Sequence, residues 1–247
     1  MISVCMATYN GEKYLREQVD SILAQLGEND ELVVSDDGST DSTIDILKSY
    51  NDSRIKILKN KGNHGVNGNF ENALSHANGD YIFLSDQDDV WLHDKVKECL
   101  KELANNDCIV HDAIVADSEL NIISNSFFID RNSGSGFWKN LYKNSYLGCC
   151  MAFRKEVLKY AFPYPDNLPI FQEGWVAMLA ELNGKVSFVK FKGILFRRHF
   201  SNASCTANKS SLSFFQQITY RIKLLYLIAV RQYKISNKVY HGSTDKK

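Results

Sequence analysis

Three carboxylates lie within four residues in the segment Ser85-Asp86-Gln87-Asp88-Asp89. The segment follows an apolar run and precedes Val90 and Trp91, so we expect it to lie close to the core. Carboxylates this close repel one another unless a cation lies among them, and oxygen ligands suit Mg²⁺ or Mn²⁺. The segment therefore predicts a site for a divalent cation that carries a diphosphate. A solvated acidic turn that caps a helix is the alternative.

Two further polar turns follow apolar runs nearer the N-terminus. Residues 35–41 read S-D-D-G-S-T-D, and residues 7–11 read A-T-Y-N-G. Alone, the first is also an ordinary junction between a strand and a helix, with a glycine turn and a capping residue. The carboxyl ends of parallel strands meet at one edge of a sheet, so the three turns are expected to converge. Convergence favours a binding site over three separate surface turns.

The elements that must position these turns alternate along the first half of the chain. Apolar runs at residues 2–7, 31–35, 55–58 and 81–85 predict strands. Helical patterns lie between them: one carries Leu15 and Leu23, one is capped by Thr40 or Asp41, and one includes Phe70. Strands that alternate with helices predict an α/β fold with a mostly parallel sheet flanked by helices.

The second half is less regular. Strands are predicted at residues 108–115, 149–153 and 185–189, helices from residue 155 and over 173–182, and a polar loop over 130–136. We interpret residues 1–210 as one catalytic domain, with a nucleotide-binding half (1–115) and an acceptor-binding half (116–210). Residues 211–247 are predicted to form a basic amphipathic helix and tail.

The composition excludes several classes of protein. Hydrophobic residues make up 44% and charged residues 23%, which is typical of a globular chain. Lys plus Arg equal Asp plus Glu at 29 each, so no basic excess suggests nucleic acid binding. The six cysteines form no C-x-x-C pair or zinc spacing, which favours a reducing compartment. The sequence shows no signal-peptide pattern or membrane span, which predicts a cytoplasmic protein.

The three turns, in this order, resemble those of family 2 glycosyltransferases of the GT-A fold. The resemblance is carried by Ala7-Thr8-Tyr9-Asn10, by Asp36-Asp37-Gly38-Ser39-Thr40-Asp41 and by Asp86-x-Asp88-Asp89. It is closest to the rhamnosyltransferase-like branch, where S-D-Q-D-D followed by a hydrophobic residue and Trp is typical. It extends over about residues 1–205. It implies an inverting, metal-dependent transfer of rhamnose or another hexose in bacterial surface polysaccharide assembly.

The resemblance also implies roles for individual residues. The donor would be a dTDP- or UDP-sugar and the metal Mn²⁺ or Mg²⁺. Asp86 would face the ribose or the metal, Asp88 would bind the metal, and Asp89 would support it. The residues implied to hold or adjoin the nucleotide are Thr8, Tyr9, Asn10, Glu12, Asp36, Asp37 and Asn69.

An inverting transfer also needs a carboxylate base for the acceptor hydroxyl. In this branch the base lies in an H-D-W-W-like motif after a Pro-containing loop. The matching stretch here is Gln172-Glu173-Gly174-Trp175, so the resemblance implies Glu173 as the base. A glutamate that favours a helix start is the alternative. The later Arg197-Arg198-His199 implies His199 as a further metal ligand and Arg197 or Arg198 as a diphosphate contact.

Other interpretations stay open at this point. Residues 82–90 also satisfy the haloacid-dehalogenase phosphatase pattern, in which Asp86 would be the nucleophile. That motif normally lies on a first strand, whereas here it follows the fourth. A non-catalytic nucleotide-binding protein is the other alternative, because Glu173 and Gly174 depart from the family's pattern. His111 and Asp112 fit the donor sugar pocket or a core hydrogen-bonded pair equally well.

The C-terminal segment interleaves apolar residues with Arg221, Lys223, Arg231, Lys234 and Lys238. A basic amphipathic helix can lie on an anionic membrane, cap the domain or join two copies of the chain. The predicted partners are therefore a saccharide or lipid-linked acceptor, with a membrane surface or a homodimer left open. If the helix lies on an anionic membrane, the protein is expected to be peripheral on the inner face of the cytoplasmic membrane.

Overall fold

The computed structural model describes residues 1–199 and 213–242, with side chains described as far as residue 237. The predicted domain boundary at residue 210 lies outside the described residues. The same is true of Asn202, which follows the Arg197-Arg198-His199 segment, and of Cys205, one of the six cysteines. The first half of the chain alternates strands and helices as predicted. Its elements are β1 (Ile2–Thr8), α1 (Leu15–Leu23), β2 (Glu31–Asp36), α2 (Thr43–Ser49), β3 (Ile55–Lys59), α3 (Val66–Ser75) and β4 (Tyr81–Ser85).

The second half adds shorter and more varied elements. They are β5 (Val90–Trp91), α4 (Lys95–Leu103), β6 (Cys108–Ala116), β7 (Ile122–Ser124), α5 (Phe127–Arg131), α6 (Phe137–Tyr142), β8 (Met151–Arg154), α7 (Leu158–Ala161), α8 (Gln172–Asn183), β9 (Val186–Arg197) and α9 (Phe214–Gly242). Short 3-10 helices precede β8 and α7. The patterns did not predict α5 and α6, and β9 extends well beyond the strand predicted to end at residue 189.

The strands form one sheet in the order β3-β2-β1-β4-β8-β6-β9-β5, with β7 paired to β6. Strands β3, β2, β1 and β4 are all parallel. Beyond β4 the sheet is mixed, because β8 is antiparallel to both β4 and β6 while β9 is parallel to β6. The predicted parallel sheet is therefore confirmed for β1 to β4, whereas the part of the sheet beyond β4 contains both parallel and antiparallel pairs.

The chain reverses its direction across the sheet at β1. It runs from β1 to β2 and β3 on one side, and then returns to place β4 on the other side. Strand ends at such a switch point leave a crevice between them, and ligands of open α/β sheets bind there. The turns that follow β1, β2 and β4 are the three polar turns of the sequence.

The core lies on both faces of this sheet. Strands β1, β2 and β4 are buried almost throughout, and Trp175 to Ala180 of α8 are all buried. Helix α9 packs on the same core through Leu224 and Ile228. Within the described ranges, no helix combines the length and the apolar character needed to span a membrane.

Candidate active site

A cavity of about 350 Å³ opens at the carboxyl ends of the parallel strands. Its lining includes the turns after β1, β2 and β4 and the starts of α3 and α8. Lining residues that carry polar side chains are Thr8, Tyr9, Asp37, Asn69, Asp86, Gln87, Asp88, Gln172 and Glu173. The predicted convergence of the three turns is therefore confirmed.

Asp36 holds the turn that follows β2. Its carboxylate accepts hydrogen bonds from the Gly38 and Ser39 amides at 3.0 and 2.9 Å, and from the Thr8 hydroxyl at 3.0 Å. Gly38 adopts φ +90°, a left-handed conformation that glycine accepts without strain. Asp36 does not line the cavity, so its predicted contact with the nucleotide base stays a prediction, and its observed contacts favour a positioning role.

Asn10 and Glu12 also engage this turn. The Asn10 side-chain oxygen accepts from the Thr40 amide at 2.9 Å, and the Glu12 carboxylate accepts from the Ser42 amide at 2.9 Å. Neither side chain lines the cavity. Their contacts join the turn after β1 to the start of α2, which differs from the direct nucleotide contact implied by the resemblance.

Asp37 is the carboxylate of this turn that reaches the cavity. One of its oxygens accepts from Asn60 and contacts the His64 ring at 2.8 Å, and the other accepts from the Gly65 amide at 2.8 Å. Asp37 therefore holds the 60–65 loop against the cavity. Asn69 lies nearby on α3, where its amide group donates to the Thr8 carbonyl at 3.0 Å.

Gln87 connects the turn after β4 to the turn after β1. Its side-chain amide accepts from the Tyr9 N–H at 2.9 Å and donates to the Tyr9 carbonyl at 3.1 Å. A Cβ atom on Gly11 would lie 2.4 Å from the same amide, so a larger residue at position 11 would displace the Gln87 side chain from this position. Tyr9 itself is exposed at the cavity edge. No role was predicted for Gln87, although its position within the carboxylate cluster could have indicated that it belongs to the site.

Burial and mutual repulsion perturb the carboxylates after β4. Burial and the neighbouring Asp88 raise the pKa of Asp86 to about 7, and burial with the same neighbour holds the pKa of Asp89 well above its usual range. Asp89 accepts from the Arg197 amide through one oxygen. Its other oxygen is buried without a partner among the described residues. A cation bound here would relieve this repulsion.

Lys95 and Cys149 lie behind the cluster, and neither was identified from the sequence. The fully buried Lys95 ammonium donates to the Cys149 carbonyl at 2.8 Å and lies 3.9 Å from the centre of the Trp91 ring. Asp86, Asp89 and the Cys149 thiol could share a metal ion, since their ligand atoms lie within 4.8 Å of one another. However, Lys95 already supplies positive charge beside Asp89.

Asp88 and His199 form the other group that could hold a cation. The His199 Nε2 lies 2.8 Å from the Asp88 carboxylate, and both side chains are mostly buried. Tyr14 packs against the imidazole with ring centroids 4.9 Å apart. Carboxylate oxygens suit Mn²⁺ and Mg²⁺, and Asp86 and Asp88 both line the cavity. The structure groups Asp86 with Asp89 and Cys149, and Asp88 with His199, so the predicted metal site of Asp86, Asp88 and His199 stays a prediction.

Arg197 braces the acidic turn from behind. Its guanidinium donates to the Asp88 carbonyl at 2.8 Å and the Ser118 carbonyl at 2.5 Å, and it pairs with Glu17. Those contacts favour a structural role for Arg197, and its predicted contact with the diphosphate stays a prediction. Arg198 is exposed and does not line the cavity. Its predicted contact with the diphosphate stays a prediction.

We expect Arg197→Ala to lower the free energy of unfolding by roughly 2–4 kcal/mol, because two carbonyls lose a buried charged donor. Arg198→Ala is the matched control, and its cost should stay within about 0.5 kcal/mol because the side chain is exposed. Urea denaturation measures both values. Equal losses in the two variants would contradict the bracing role of Arg197. A fall in nucleotide affinity in Arg198→Ala alone would support its predicted diphosphate contact.

Glu173 lies in the first turn of α8 and lines the same cavity as Asp86 and Asp88. The Glu173 side chain is 7% exposed. It lines the cavity together with Gly148, and the position of a Cβ atom on Gly148 would be next to the Glu173 side chain. Burial raises the pKa of Glu173 to about 8, and the Asp86 carboxylate contributes in the same direction. Helix α8 begins here because Asn67 accepts from the Gln172 amide at 2.9 Å. A buried carboxyl group with a raised pKa suits proton transfer near neutral pH.

His111 and Asp112 lie in the core and do not line the cavity. Asp112 accepts from the Ser126 hydroxyl at 2.6 Å and the Phe128 amide at 2.9 Å, so it positions the start of α5. The His111 ring is fully buried and contacts the Phe191 ring. The hydrogen-bonded core interpretation of this pair is thus favoured over a place in the sugar pocket.

The sheet order and the cavity at its switch point are those of a glycosyltransferase of the GT-A fold. TarS 1-349 of S. aureus, solved in complex with UDP-GlcNAc, is similar with a TM-score of 0.69 and 23% identity, over 93% of this chain and 66% of that chain. PcManGT from Pyrobaculum calidifontis, a mannosyltransferase solved in complex with GDP-Man and Mn²⁺, has a TM-score of 0.58 and 16% identity. It covers 96% of this chain and 75% of that chain. Identities this low show a common fold alone.

Residues 3–162 match the sequence model of glycosyl transferase family 2, and the chain therefore belongs to that family. One relative is the UDP-Glc:alpha-D-GlcNAc-diphosphoundecaprenol beta-1,3-glucosyltransferase WfgD of Escherichia coli, which is 28% identical over 85% of this chain and 81% of that protein. Another is the dTDP-rhamnosyl transferase RfbG of Shigella flexneri, 32% identical over 62% of this chain and 55% of that protein. Family membership sets aside the phosphatase interpretation of Asp86.

Proposed function

We propose that this chain is an inverting, metal-dependent glycosyltransferase that moves a hexosyl group from a UDP- or dTDP-sugar to a hydroxyl of a lipid-linked saccharide. The observation that carries the proposal is one cavity that Asp86, Asp88 and the buried Glu173 line together. Inverting transfer needs both: a site for a leaving diphosphate and a base at a separate position.

The leaving-group side of the proposal rests on Asp86, Asp88 and His199, which would hold Mn²⁺ or Mg²⁺. When bound, such a cation neutralises the charge that develops on the nucleoside diphosphate. Arg197 and Tyr14 keep Asp88 and His199 in place through the contacts described above. Tyr9, Asp37 and Asn69 line the part of the cavity next to this turn and are proposed to contact the nucleotide.

The acceptor side rests on Glu173. Its carboxylate takes the proton of the acceptor hydroxyl while the hydroxyl oxygen bonds to the anomeric carbon of the sugar. The bond from that carbon to the diphosphate breaks at the same time, and the electron pair leaves with the diphosphate. Attack on the face remote from the leaving group inverts the configuration of the anomeric carbon. Proton transfer of this kind accelerates a reaction by roughly 10²–10⁴-fold.

The donor and acceptor are proposed from the relatives. The name of WfgD specifies UDP-Glc as donor and a diphosphoundecaprenol-linked acceptor, and the name of RfbG specifies a dTDP-rhamnosyl donor. A lipid-linked acceptor in bacterial surface polysaccharide assembly is proposed from the acceptor of WfgD. It also agrees with a peripheral location on the inner face of the cytoplasmic membrane. Rhamnose and glucose are both proposed as candidates for the transferred sugar.

A donor screen tests the proposal. With Mn²⁺ or Mg²⁺ present, we expect the protein to release nucleoside diphosphate from one sugar of a panel of UDP-, dTDP- and GDP-sugars. The expected donor carries uracil or thymine, and EDTA should abolish the release. If no donor is hydrolysed or transferred, yet a nucleotide binds in calorimetry, the alternative of a non-catalytic nucleotide-binding protein is favoured.

A further inference from the structure

Helix α9 has two apolar sides, and only one of them is packed against the domain. Leu224 and Ile228 are buried in the core. A second set, spaced by three, four or seven residues, shares another side of the helix and is exposed. This exposed apolar face consists of Phe214, Phe215, Ile218, Ile222, Tyr226 and Tyr233.

Helix α6 adds two aromatic residues next to α9. Arg221 of α9 donates to the Tyr142 carbonyl at 2.6 Å and lies 5.2 Å from the centre of the Tyr142 ring. Trp138 lies one turn earlier on the same side of α6. Trp138 and Tyr142 are 72% and 75% exposed. The exposed apolar face therefore continues from α9 onto α6.

The charge around this surface is positive. Residues 214–242 contain five Lys and Arg residues and no Asp or Glu. Residues 137–143 of α6 and its end add Lys139 and Lys143, again without an acidic residue. Since the whole chain has a net charge of zero, this positive charge is concentrated locally.

We propose that the exposed apolar face of α9, with Trp138 and Tyr142 of α6, docks on an anionic lipid bilayer. Aromatic side chains suit the boundary between headgroups and acyl chains, and Lys and Arg attract anionic headgroups. A second copy of the chain is disfavoured as the occupant, because a two-fold contact brings the same positive charges of both copies together.

Docking would also bring the membrane close to the acceptor side of the cavity, an extension that rests on the proposed function. Arg231 of α9 donates to the Phe162 carbonyl at 2.6 Å and lies 5.8 Å from the centre of the Trp175 ring of α8. Tyr220 lies close enough for the Glu173 charge to raise its pKa, in addition to the effect of burial. A hydroxyl on a lipid-linked saccharide would thus reach Glu173 from the docked side.

Vesicle sedimentation of the full chain, without substrate, tests the docking. We expect binding to vesicles of equal parts phosphatidylglycerol and phosphatidylcholine, and little binding to phosphatidylcholine alone. Ile222→Asp should lower the bound fraction at least about tenfold, because it places a negative charge on the apolar face. Ile122→Asp is the matched control: Ile122 is 58% exposed on β7 and Ile222 is 62% exposed. The control should bind like the parent.

The outcomes separate docking from catalysis. High salt should release the parent protein from anionic vesicles, since the attraction is partly electrostatic. Docking is overturned if the parent does not sediment with anionic vesicles, or if Ile222→Asp binds as the parent does. It is also overturned if the parent is a dimer in ultracentrifugation that Ile222→Asp converts to a monomer. Vesicle binding by a protein that transfers no sugar would leave docking standing and refute the proposed function.

Discussion

Glu173→Gln is expected to lower sugar transfer by roughly 10²–10⁴-fold while nucleotide affinity stays close to that of the parent. The substitution preserves the size of a buried side chain and removes the basic carboxylate. Nucleotide binding should persist because Glu173 is not among the residues proposed to hold the nucleotide or the cation. Initial rates of transfer and calorimetric titration with UDP or dTDP measure the two quantities.

The pH profile of the parent provides a control for this assignment. Since burial raises the pKa of Glu173 to about 8, the base form is the minor form at neutral pH. Log kcat/KM should therefore rise with pH and level off above about 8. Charged or titratable groups near Glu173 are Asp86, Tyr164 and Tyr220, and a cation bound at Asp86 would lower the inflection. Glu173→Gln should lack this inflection.

Glu173→Asp separates shape from charge at the same position. It should retain partial activity, because the resemblance implies that Asp is the commoner residue there and only one methylene of reach is lost. Transfer by Glu173→Gln at the parent rate would contradict the assignment of the base. Asp112 is the next candidate, but its carboxylate accepts hydrogen bonds from Ser126 and Phe128 and does not line the cavity, which disfavours it as the base.

Asp88→Asn is expected to lower transfer by about 10²–10³-fold, because it removes a charged ligand from the site proposed for the cation. The fold should persist, since the substitution keeps the Asp88 carbonyl that Arg197 contacts. Calorimetry of UDP or dTDP binding should show an increase in affinity with Mn²⁺ in the parent, and this increase should be lost in the variant.

Asp94→Asn is the matched control for the loss of one carboxylate. Asp94 lies on the surface at the start of α4, in a left-handed conformation that Asn tolerates. Its substitution should leave transfer and the effect of Mn²⁺ unchanged. Full activity of Asp88→Asn in EDTA would rule out a cation bridged to the donor by this residue.

Particular elements show how far the sequence predicts the fold. Strands β1, β2 and β4 were predictable because each is a buried run bounded by a polar turn, and burial on both faces leaves a nearly continuous apolar signal. Helices α5 and α6 were not predictable, because both are short and begin within a segment rich in Ser and Gly. The antiparallel pairing of β8 with β4 and β6 has no local signature, because a strand's partners depend on the packing of distant segments.

The same distinction applies within the site. The residue types of the three turns, and the order in which they occur, already predicted a diphosphate and cation site at one edge of a parallel sheet. The tertiary structure decided which carboxylates line the cavity. It directs Asp37 into the cavity and Asp36 into its own turn, although the two are adjacent and chemically identical. It also brings His199 to Asp88, which is 111 positions away, and places Glu173 in the lining of the same cavity as Asp88. Local sequence specifies the chemistry that a turn can offer, whereas burial, hydrogen bonding and long-range packing select the side chains that remain available for it.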